Sequence, residues 1–354
     1  MYFLPTIDGL KKIKCGDLEL RKYNRPAPTD ERSEADIRAM IWPDGVNDTR
    51  LFRSTIYDAS NNLICFSPPK SEGYGVFKTY LPLHEVKVTE FIDGTMINVF
   101  HHQGVWRIST KSVVDAHCRY YTDAPTFDEM FYEALAQYEI SMESLEKSLC
   151  YSFVLQHPKN RIVAPVFIPT LYLICAYKIV GHTVYEVEDS TPFPRPQSFT
   201  FESYEALETA LTEKSFGFQG FMLKSGRLRA KLRNPRYNEV RELRGNTPCL
   251  KYHILTLRQT GKCAQFFSYY PEHKQAIVHC DREVARIVNL FYTSYLDCFV
   301  KKERRMAELN KHVGYHVYQL HGNYLKTRPV PMHKNLVRRY VDSLAPAQLV
   351  VLFL

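Results

Sequence analysis

Alternation of apolar and polar residues predicts β-strands through much of the first two thirds of the chain. Residues 51–57 and 63–66 alternate on either side of a polar turn, which predicts a β-hairpin. Residues 86–101 and 105–110 alternate around a Gln-Gly turn and predict a second hairpin. Further strands are expected at 151–155, 171–179, 183–187 and 220–223.

Helical spacing of apolar residues occurs in other segments. Residues 126–148 and 204–214 have the pattern of amphipathic helices that pack on a core. Residues 281–302 place apolar side chains on one face of a longer helix, and a short helix is expected at 33–41. Because strands and helices mix without regular βαβ alternation, we predict an α+β fold with mainly antiparallel sheets.

Composition divides the chain into three predicted parts. Residues 1–50 are polar and are expected to be irregular, with a Pro-Ala-Pro break at 26–28, so they form an N-terminal elaboration. Residues 51–246 form the mixed core. The turn residues that follow Gly245 predict a boundary, and residues 247–354 a helical C-terminal domain.

Composition also restricts the cellular compartment and the partners that we expect for the protein. Nine cysteines, never in a C-x-x-C pair, favour a reducing compartment and argue against a zinc site. No charge-free apolar run is long enough to span a membrane, and the first ten residues do not resemble a signal peptide. We therefore expect a globular protein with no membrane partner.

Basic residues are concentrated in one stretch of the sequence. The formal net charge is +8, which favours an anionic partner only where the charges cluster. The alternative is an evenly solvated surface. A cluster does occur, and it predicts contact with phosphate groups: Lys224, Arg227, Arg229, Lys231, Arg233, Arg236, Arg241 and Arg244.

Five segments carry the candidate chemistry. The first, 90–100, contains Asp93 and Gly94, a dipeptide that alone indicates only a turn. Other polar and basic segments follow it in a fixed order, at 106–112, 151–163, 218–223 and 229–237. The order and spacing of the five segments are more specific than any one of them.

Taken in this order, the segments resemble the motifs of the ATP-dependent RNA ligases of the bacteriophage type. These belong to the covalent nucleotidyltransferase superfamily, together with DNA ligases and mRNA capping enzymes. The resemblance covers roughly residues 51–243. It implies a nucleotidyltransferase core of antiparallel sheets, ATP-grasp-like in fold, with RNA or a nucleotide as partner. It also implies ATP and Mg²⁺ as cofactors if the protein is active, a viral origin, and an intracellular location in the cytoplasm or a virus factory.

The resemblance assigns roles to individual residues. Asp93 and Gly94 match the second half of the family's K-x-D-G motif, whose lysine attacks the α-phosphate of ATP. The nucleotide- or phosphate-binding residues implied are Arg53, Asp93, Gly94, Thr110, Lys111, Phe153, Gln219, Lys231 and Arg233. Those implied to contact nucleic acid are Arg161, Lys224, Arg227, Arg229 and Arg236. No metal ligand is predicted.

Three positions depart from the family pattern. Phe91 stands where the family has its nucleophilic lysine, and Val154 and Gln219 stand where it has glutamates. A phenyl ring cannot attack a phosphate, and loss of two carboxylates weakens ribose recognition and Mg²⁺ binding. We expect Phe91 to pack in the core, Gln219 to act as a neutral hydrogen-bond partner, and Asp93 merely to accept a turn hydrogen bond.

Replacement of the lost lysine by another one requires a rearranged site. Lys87 lies four residues before Phe91, which corresponds to about 13 Å along a strand. Lys111 and Lys231 match positions that the family uses for phosphate contact.

Three hypotheses follow. The protein is a degenerate ligase-like protein that binds RNA or a nucleotide, an active enzyme with a non-standard nucleophile, or an interaction scaffold. A scaffold gains weight if the basic residues prove dispersed. In the C-terminal domain an aromatic series is expected to serve helix packing rather than base stacking: Tyr315, His316, Tyr318, His321 and Tyr324.

Overall fold

The computed structural model describes residues 1–24, 49–122, 124–326 and 330–353. The helix expected at 33–41 and the break at 26–28 lie outside these residues. The chain divides into two compact units, Met1–Arg241 and Glu242–Leu354. The predicted division into three domains stays a prediction.

Over the described residues, the first unit contains three sheets in which neighbouring strands are antiparallel. One six-stranded sheet has the order β1-β11-β10-β9-β7-β8, and two four-stranded sheets have the orders β12-β6-β13-β14 and β2-β3-β4-β5. The strands β1 to β14 are, in chain order, Tyr2–Phe3, Lys11–Cys15, Leu18–Lys22, Thr55–Tyr57, Leu63–Cys65, Lys87–Glu90, Thr95–His102, Val105–Ser109, Leu149–Gln156, Thr170–Val180, Thr183–Val187, Ser198–Phe199, Gly220–Ser225 and Leu228–Arg233. The predicted α+β class with antiparallel sheets is confirmed.

The predicted hairpins are confirmed in part. Strands β4 and β5 pair as expected, and so do β7 and β8. The single strand predicted at 86–101 is wrong, because the chain leaves β6 after Glu90 and enters β7, in another sheet, at Thr95. Gly94, at φ +149°, allows this crossing between sheets.

The start of the chain is also more regular than its composition suggests. Residues 11–15 and 18–22 form β2 and β3 instead of irregular structure. Leu18 and Leu20 are buried in a core cluster with Phe52 and Ile56. The alternation is real but short, and lysines on the exposed positions obscure it.

Helices of the first unit pack on these sheets. They are Tyr74–Tyr80, Phe127–Leu135 and Tyr204–Thr212, and a fourth helix among the described residues, Pro235–Arg244, begins in this unit directly after β14. The long helix predicted at 126–148 ends at Leu135, although a capping box of Thr126 and Glu129 starts it as the pattern indicates. Leu145 still packs on the same core. The helical spacing of apolar residues over 126–148 therefore reflects their burial and not one continuous helix.

The second unit is helical, as predicted. Its helices are Leu250–Gln259, Cys263–Tyr269, Lys274–Tyr295, Lys311–Lys326, Lys334–Ser343 and Pro346–Leu352. The helix expected at 281–302 begins earlier, at Lys274, and ends in a π-helical turn at Leu296–Val300. None of the helices in the described ranges is long and apolar enough to cross a bilayer.

The aromatic series on Lys311–Lys326 serves packing in part. His316 is buried, stacks on Phe291 and shares a 2.7 Å hydrogen bond with the Tyr340 hydroxyl. Tyr315 and Tyr318, in contrast, are exposed. His321 stacks on Phe299, and Tyr324 contacts the rings of His321 and Tyr295. The packing prediction therefore fits His316, His321 and Tyr324 and not the two exposed tyrosines.

Candidate functional site

A cavity of about 630 Å³ lies in the first unit, between the six-stranded sheet and the sheet that contains β14. Val154 and Ala176 come from the first of these walls, and Thr89 and Lys231 from the second. The volume falls in the range of about 300–1,000 Å³ that is usual for small-molecule sites. The cavity is therefore large enough for a nucleotide-sized ligand.

Strand β14 supplies three cations to this cavity. Side chains alternate across a strand, so Arg229, Lys231 and Arg233 share the cavity face. Ala230 and Leu232 point to the opposite face and pack against the helical side of the sheet. Arg53 and Arg241 also line the cavity and complete a group of five cations, while three further basic residues, Lys87, Arg195 and Lys224, line it as well.

Arg229 is the most deeply buried of these cations. Only 6% of its surface is exposed, and its Nε and Nη1 atoms have no hydrogen-bond partner among the residues that the structure describes. A guanidinium stays charged at any physiological pH. A buried charge without a partner costs about 3–5 kcal/mol, so the fold carries a large penalty here.

The charged forms of three other cations in this group are also disfavoured by their surroundings. Burial, together with Arg53, Arg233, Arg229 and Arg241, lowers the pKa of Lys231 to about 7. Burial and the charge of Arg229 also lower the pKa of Arg53, and burial lowers that of Arg233. Within the described part of the chain, none of the five forms an ion pair with a carboxylate. Among the described residues their mutual repulsion is therefore offset by no ion pair, although the charge of Asp93 acts in favour of Arg233.

The carboxylates that line the cavity are Glu90, Asp93, Glu186, Glu188 and Asp189, and two of them pair with other basic residues of the same lining. Glu186 pairs with Lys224, and Asp189 pairs with Arg195. Burial raises the pKa of Glu90, which disfavours its charged form. The cation group therefore remains available to an anion.

Phe91 lies in the cavity wall. Its ring is partly exposed, with the Lys231 Nζ atom 4.9 Å and the Arg233 Cζ atom 5.8 Å from the ring centroid. The expectation that Phe91 packs in the core is wrong, because the chain has left β6 and its ring faces the cations instead. Cation–π attraction partly stabilises the two charges at this point.

Asp93 is buried and anchors the chain where it crosses between sheets. Its Oδ2 atom accepts hydrogen bonds from the backbone N–H groups of Val163 and Ala164, both at 3.0 Å, and its Oδ1 atom accepts from the Tyr237 hydroxyl at 2.7 Å. Burial and the Asp93 charge raise the pKa of Tyr237. The carboxylate thus does more than the expected turn hydrogen bond.

Further hydrogen bonds join the first and third motif segments. Asn160 donates to the Thr95 hydroxyl at 3.1 Å, and Gln156 donates to the Asp93 carbonyl at 2.8 Å. Gly94 is required next to them, because a Cβ atom there would lie 2.5 Å from the Leu155 carbonyl oxygen. The residues of these two segments that match the family motifs therefore have structural roles that explain why they are present.

Gln219 is buried against backbone carbonyls. In the orientation that satisfies its amide, the nitrogen donates to the Ile92 carbonyl at 3.0 Å and to the Phe91 carbonyl at 3.3 Å. The prediction of a neutral hydrogen-bond partner fits this geometry. A carboxylate in its place would face two acceptors.

Replacing Gln219 by glutamate is expected to destabilise the protein by roughly 1–3 kcal/mol, because the ionised side chain would lose both hydrogen bonds and repel both carbonyls. The burial and the carbonyl oxygens would raise the pKa of the new carboxyl, so the loss grows as pH rises above the ordinary glutamate range. Urea denaturation at acid and neutral pH measures this. The exposed substitution Gln265→Glu is the control. Equal stability at both pH values would contradict the assigned contacts.

The site does not fit a divalent metal held by the protein. Among the described residues no group of three or more His, Cys, Asp or Glu is placed to hold one. Val154 contributes an apolar side chain, and the Gln219 amide donates to the backbone. The cation group fits the phosphates of ATP, but these residues do not fit Mg²⁺.

The cavity gathers some of the predicted site residues and leaves others elsewhere. Predicted residues that line it are Arg53, Asp93, Gly94, Gln219, Lys224, Arg229, Lys231 and Arg233. Thr110 accepts from the backbone of its own turn, and Lys111 lies over the Tyr23 ring. Phe153 is in the core, and Arg161 donates to the Val163 carbonyl. Arg227 and Arg236 are outside the lining, so the binding roles of these six stay predictions.

Some cavity residues were not assigned a role from the sequence. Arg241 was noted only as part of the basic stretch, and Tyr237 carried no role beyond its place in the fifth segment. The R-x-K-x-R spacing at 229–233 was the signal for a strand, because its period of two puts the charges on one face. In the sequence the segment is interpreted as a run of charge and as a match to a family motif, without a prediction of this strand.

Comparison with known proteins gives fold-level similarity at low identity. No protein-family model and no curated protein matches the chain. An archaeal ATP-dependent RNA ligase (form 2) is 13% identical with a TM-score of 0.45, over 80% of this chain and 77% of that one. Form 1 is 12% identical, with a TM-score of 0.39 over 77% and 73%. A candidate ATP-dependent DNA ligase from Aquifex aeolicus is 14% identical, with a TM-score of 0.41 over 81% and 78%.

Proposed function

We propose that the protein is a ligase-like nucleotidyltransferase relative that binds the phosphate groups of a nucleotide or an RNA end in this cavity. The motif resemblance supports the family, and the cavity supports the ligand chemistry. Phosphate is the anion that a group of arginines and a lysine binds best, through charge-assisted hydrogen bonds. The proposal also includes loss of the family's standard chemistry at residue 91.

The Nε and Nη1 atoms of Arg229, which have no hydrogen-bond partner in the described part of the chain, carry this proposal. Native folds pair their buried charges, and groups that remain unpaired are found where a ligand supplies the partner. Here the Nε and Nη1 atoms are buried in the wall of a ligand-sized cavity that also receives Lys231 and Arg233. A phosphate would satisfy these donors and neutralise the surrounding cations.

Three replaced positions support the loss of standard chemistry. Phe91 offers no nucleophile, Val154 offers no polar atom, and Gln219 is held by the backbone. We infer that the chain keeps the cavity but forms no nucleotidyl adduct at residue 91. The scaffold hypothesis is less favoured, because five cations converge on one cavity instead of spreading over the surface.

Isothermal titration calorimetry tests the proposal with four ligands: ATP, inorganic tripolyphosphate, adenosine, and a short RNA with a 5′-phosphate. ATP and tripolyphosphate are expected to bind, and adenosine is not. Tighter binding of the RNA than of ATP would identify an RNA end as the natural ligand. Affinity should fall steeply with salt, since phosphate contacts are electrostatic.

Substitutions locate the binding. Arg233→Met removes a cavity cation and is expected to weaken ATP binding about 10- to 100-fold, because one charge-assisted contact is worth about 1.5–3 kcal/mol. Arg236→Met removes an exposed cation from the same basic stretch, outside the lining, and should change ATP affinity little. Equal losses in the two variants, or no binding by the wild type, would refute a cavity site.

A further inference from the structure

The acidic side chains of the cavity wall are not arranged to hold a divalent cation. Mg²⁺ requires oxygen ligands in nearly regular octahedral positions. Asp93 accepts protein hydrogen bonds with both of its carboxylate oxygen atoms, and Glu186 and Asp189 form ion pairs with basic residues of the lining. Burial raises the pKa of Glu90 and so favours its neutral form, and Glu188 is exposed at the surface. Among the described residues these acids do not form a cluster that could bind a metal ion.

The group of five cations can supply the positive charge that a metal ion supplies in other phosphate sites. Guanidinium groups bind phosphate oxygen atoms through paired, charge-assisted hydrogen bonds. A metal ion coordinates the same oxygen atoms, so a metal ion and a guanidinium compete for them. The Nε and Nη1 atoms of Arg229 are buried and have no partner in the described part of the chain. A phosphate oxygen that carries no metal ion is the acceptor that suits these two donors.

Charge balance also favours the ligand without its metal ion. The lining contains eight basic residues and five acidic ones, so positive charge is in excess even when every carboxylate is ionised. Mg²⁺ cancels about half of the negative charge of ATP. Because the Coulomb energy scales with the charge of each partner, the Mg²⁺ complex is attracted less strongly to the cavity than free ATP. Salt and water screen this difference little at partly buried cations.

We propose that the cavity binds nucleoside polyphosphates in their metal-free form and that Mg²⁺ weakens their binding. This inference rests on the proposed function, because it specifies the ionic form of the phosphate ligand at the same site. The clustered arginines and Lys231 contact the phosphate oxygen atoms that Mg²⁺ would otherwise coordinate. This effect of Mg²⁺ is opposite to the one that the motif resemblance implies, in which Mg²⁺ is a cofactor.

Calorimetric titration of the full-length protein with ATP tests the inference, first with EDTA and then at increasing free Mg²⁺ and constant ionic strength. The apparent Kd should rise with free Mg²⁺, because complexed ATP is withdrawn from binding, and level off at the Kd of the Mg²⁺ complex. We expect the plateau to lie about 10- to 100-fold above the value in EDTA. Inorganic tripolyphosphate should show the same dependence, because the preference lies in its phosphates.

Electron paramagnetic resonance with Mn²⁺ gives an independent measurement. Mn²⁺ bound to ATP has a weaker signal than the free aquo ion. Adding the protein in excess over ATP should release Mn²⁺ from the complex and raise the signal of the free ion. A protein that binds the metal complex of ATP would lower the signal or leave it unchanged.

Two arginines of the helix Pro235–Arg244 form a matched pair of test positions. Both Arg236 and Arg241 are exposed, so methionine at either position should leave the fold intact, and only Arg241 lines the cavity. Arg241→Met lowers the positive charge of the cavity, and the ratio of the Kd of the Mg²⁺ complex to that of metal-free ATP should fall about 2- to 5-fold. The half-buried Arg233, replaced by methionine, should lower this ratio further. Arg236→Met should keep the wild-type ratio.

Failure of this inference is distinct from failure of the binding proposal. ATP binding that Mg²⁺ leaves unchanged or strengthens overturns the inference and leaves the binding proposal intact. Absence of ATP and tripolyphosphate binding, both in EDTA and with Mg²⁺, refutes the two together. If Arg241→Met and Arg233→Met both keep the wild-type ratio, the preference does not arise from the cavity cations, and the inference is likewise overturned.

Discussion

Replacing Arg229 by methionine is expected to raise the stability of the unliganded protein and to remove most of its affinity for phosphate ligands. Methionine fills a similar volume without a charge, and replacing buried charged groups by apolar ones often stabilises a protein by about 1–4 kcal/mol. Arg229 is 6% exposed, and two nitrogen atoms of its guanidinium have no partner among the residues that the structure describes, so its removal should relieve an uncompensated cost. Urea denaturation of the free protein measures the gain.

The ligand-dependent part of the experiment uses thermal unfolding with tripolyphosphate. The wild type should be stabilised as ligand concentration rises, and Arg229→Met should show little shift. Arg236→Met, which removes an exposed cation, should match the wild type in both measurements. If Arg229→Met destabilises the free protein, the guanidinium has a partner in solution, and the argument for a phosphate in its place fails.

The expected result for Arg229→Met is a trade-off, in which the free protein gains stability and loses affinity for its ligand. Arg53, Arg229, Lys231 and Arg233 repel one another in the free cavity, and the lowered pKa of Lys231 records that repulsion and burial. A fold that keeps such a group without carboxylate partners carries a cost that a ligand can remove. Functional sites are where such costs are retained, because each optimised contact within the protein would reduce ligand affinity.

Local patterns in the sequence predicted most of the sheets. Strands such as Thr183–Val187 coincide with the predicted range, because alternation and β-branched residues act within a few neighbours. The crossing at Asp93 and Gly94 was not predicted, because it depends on Val163, Ala164 and Tyr237, which lie far along the chain. No local pattern contains those partners.

The candidate site was predictable in composition but not in arrangement. The basic stretch indicated phosphate contact, and β14 indeed presents Arg229, Lys231 and Arg233 to one cavity. No local pattern shows that Arg53 joins them, since it lies in a different segment of the chain, and only the motif resemblance groups it with Lys231 and Arg233. The prediction that Phe91 packs in the core was wrong for a related reason. Whether an apolar ring packs in the core or lines a cavity depends on where the neighbouring strand ends.

Replacing Asp93 by alanine is expected to destabilise the protein by roughly 3–5 kcal/mol, which is the second large effect. Two backbone N–H groups and the Tyr237 hydroxyl would lose their acceptor, and each buried donor left unpaired costs about 1–3 kcal/mol. Asp93→Asn keeps the shape and one acceptor oxygen, so its cost should be smaller. Tyr237→Phe removes a single hydrogen bond and should cost least.

The order of the three losses in stability distinguishes a structural role of Asp93 from a role in ligand binding. If stability falls most in Asp93→Ala, less in Asp93→Asn and least in Tyr237→Phe, the carboxylate holds the chain crossing between sheets. If Asp93→Ala instead unfolds at the wild-type urea concentration and loses ATP affinity, Asp93 acts on the ligand, and its hydrogen bonds to Val163 and Ala164 are incidental. The first result would explain physically how Asp93 and Gly94 can persist beside a phenylalanine that cannot perform the family's first chemical step.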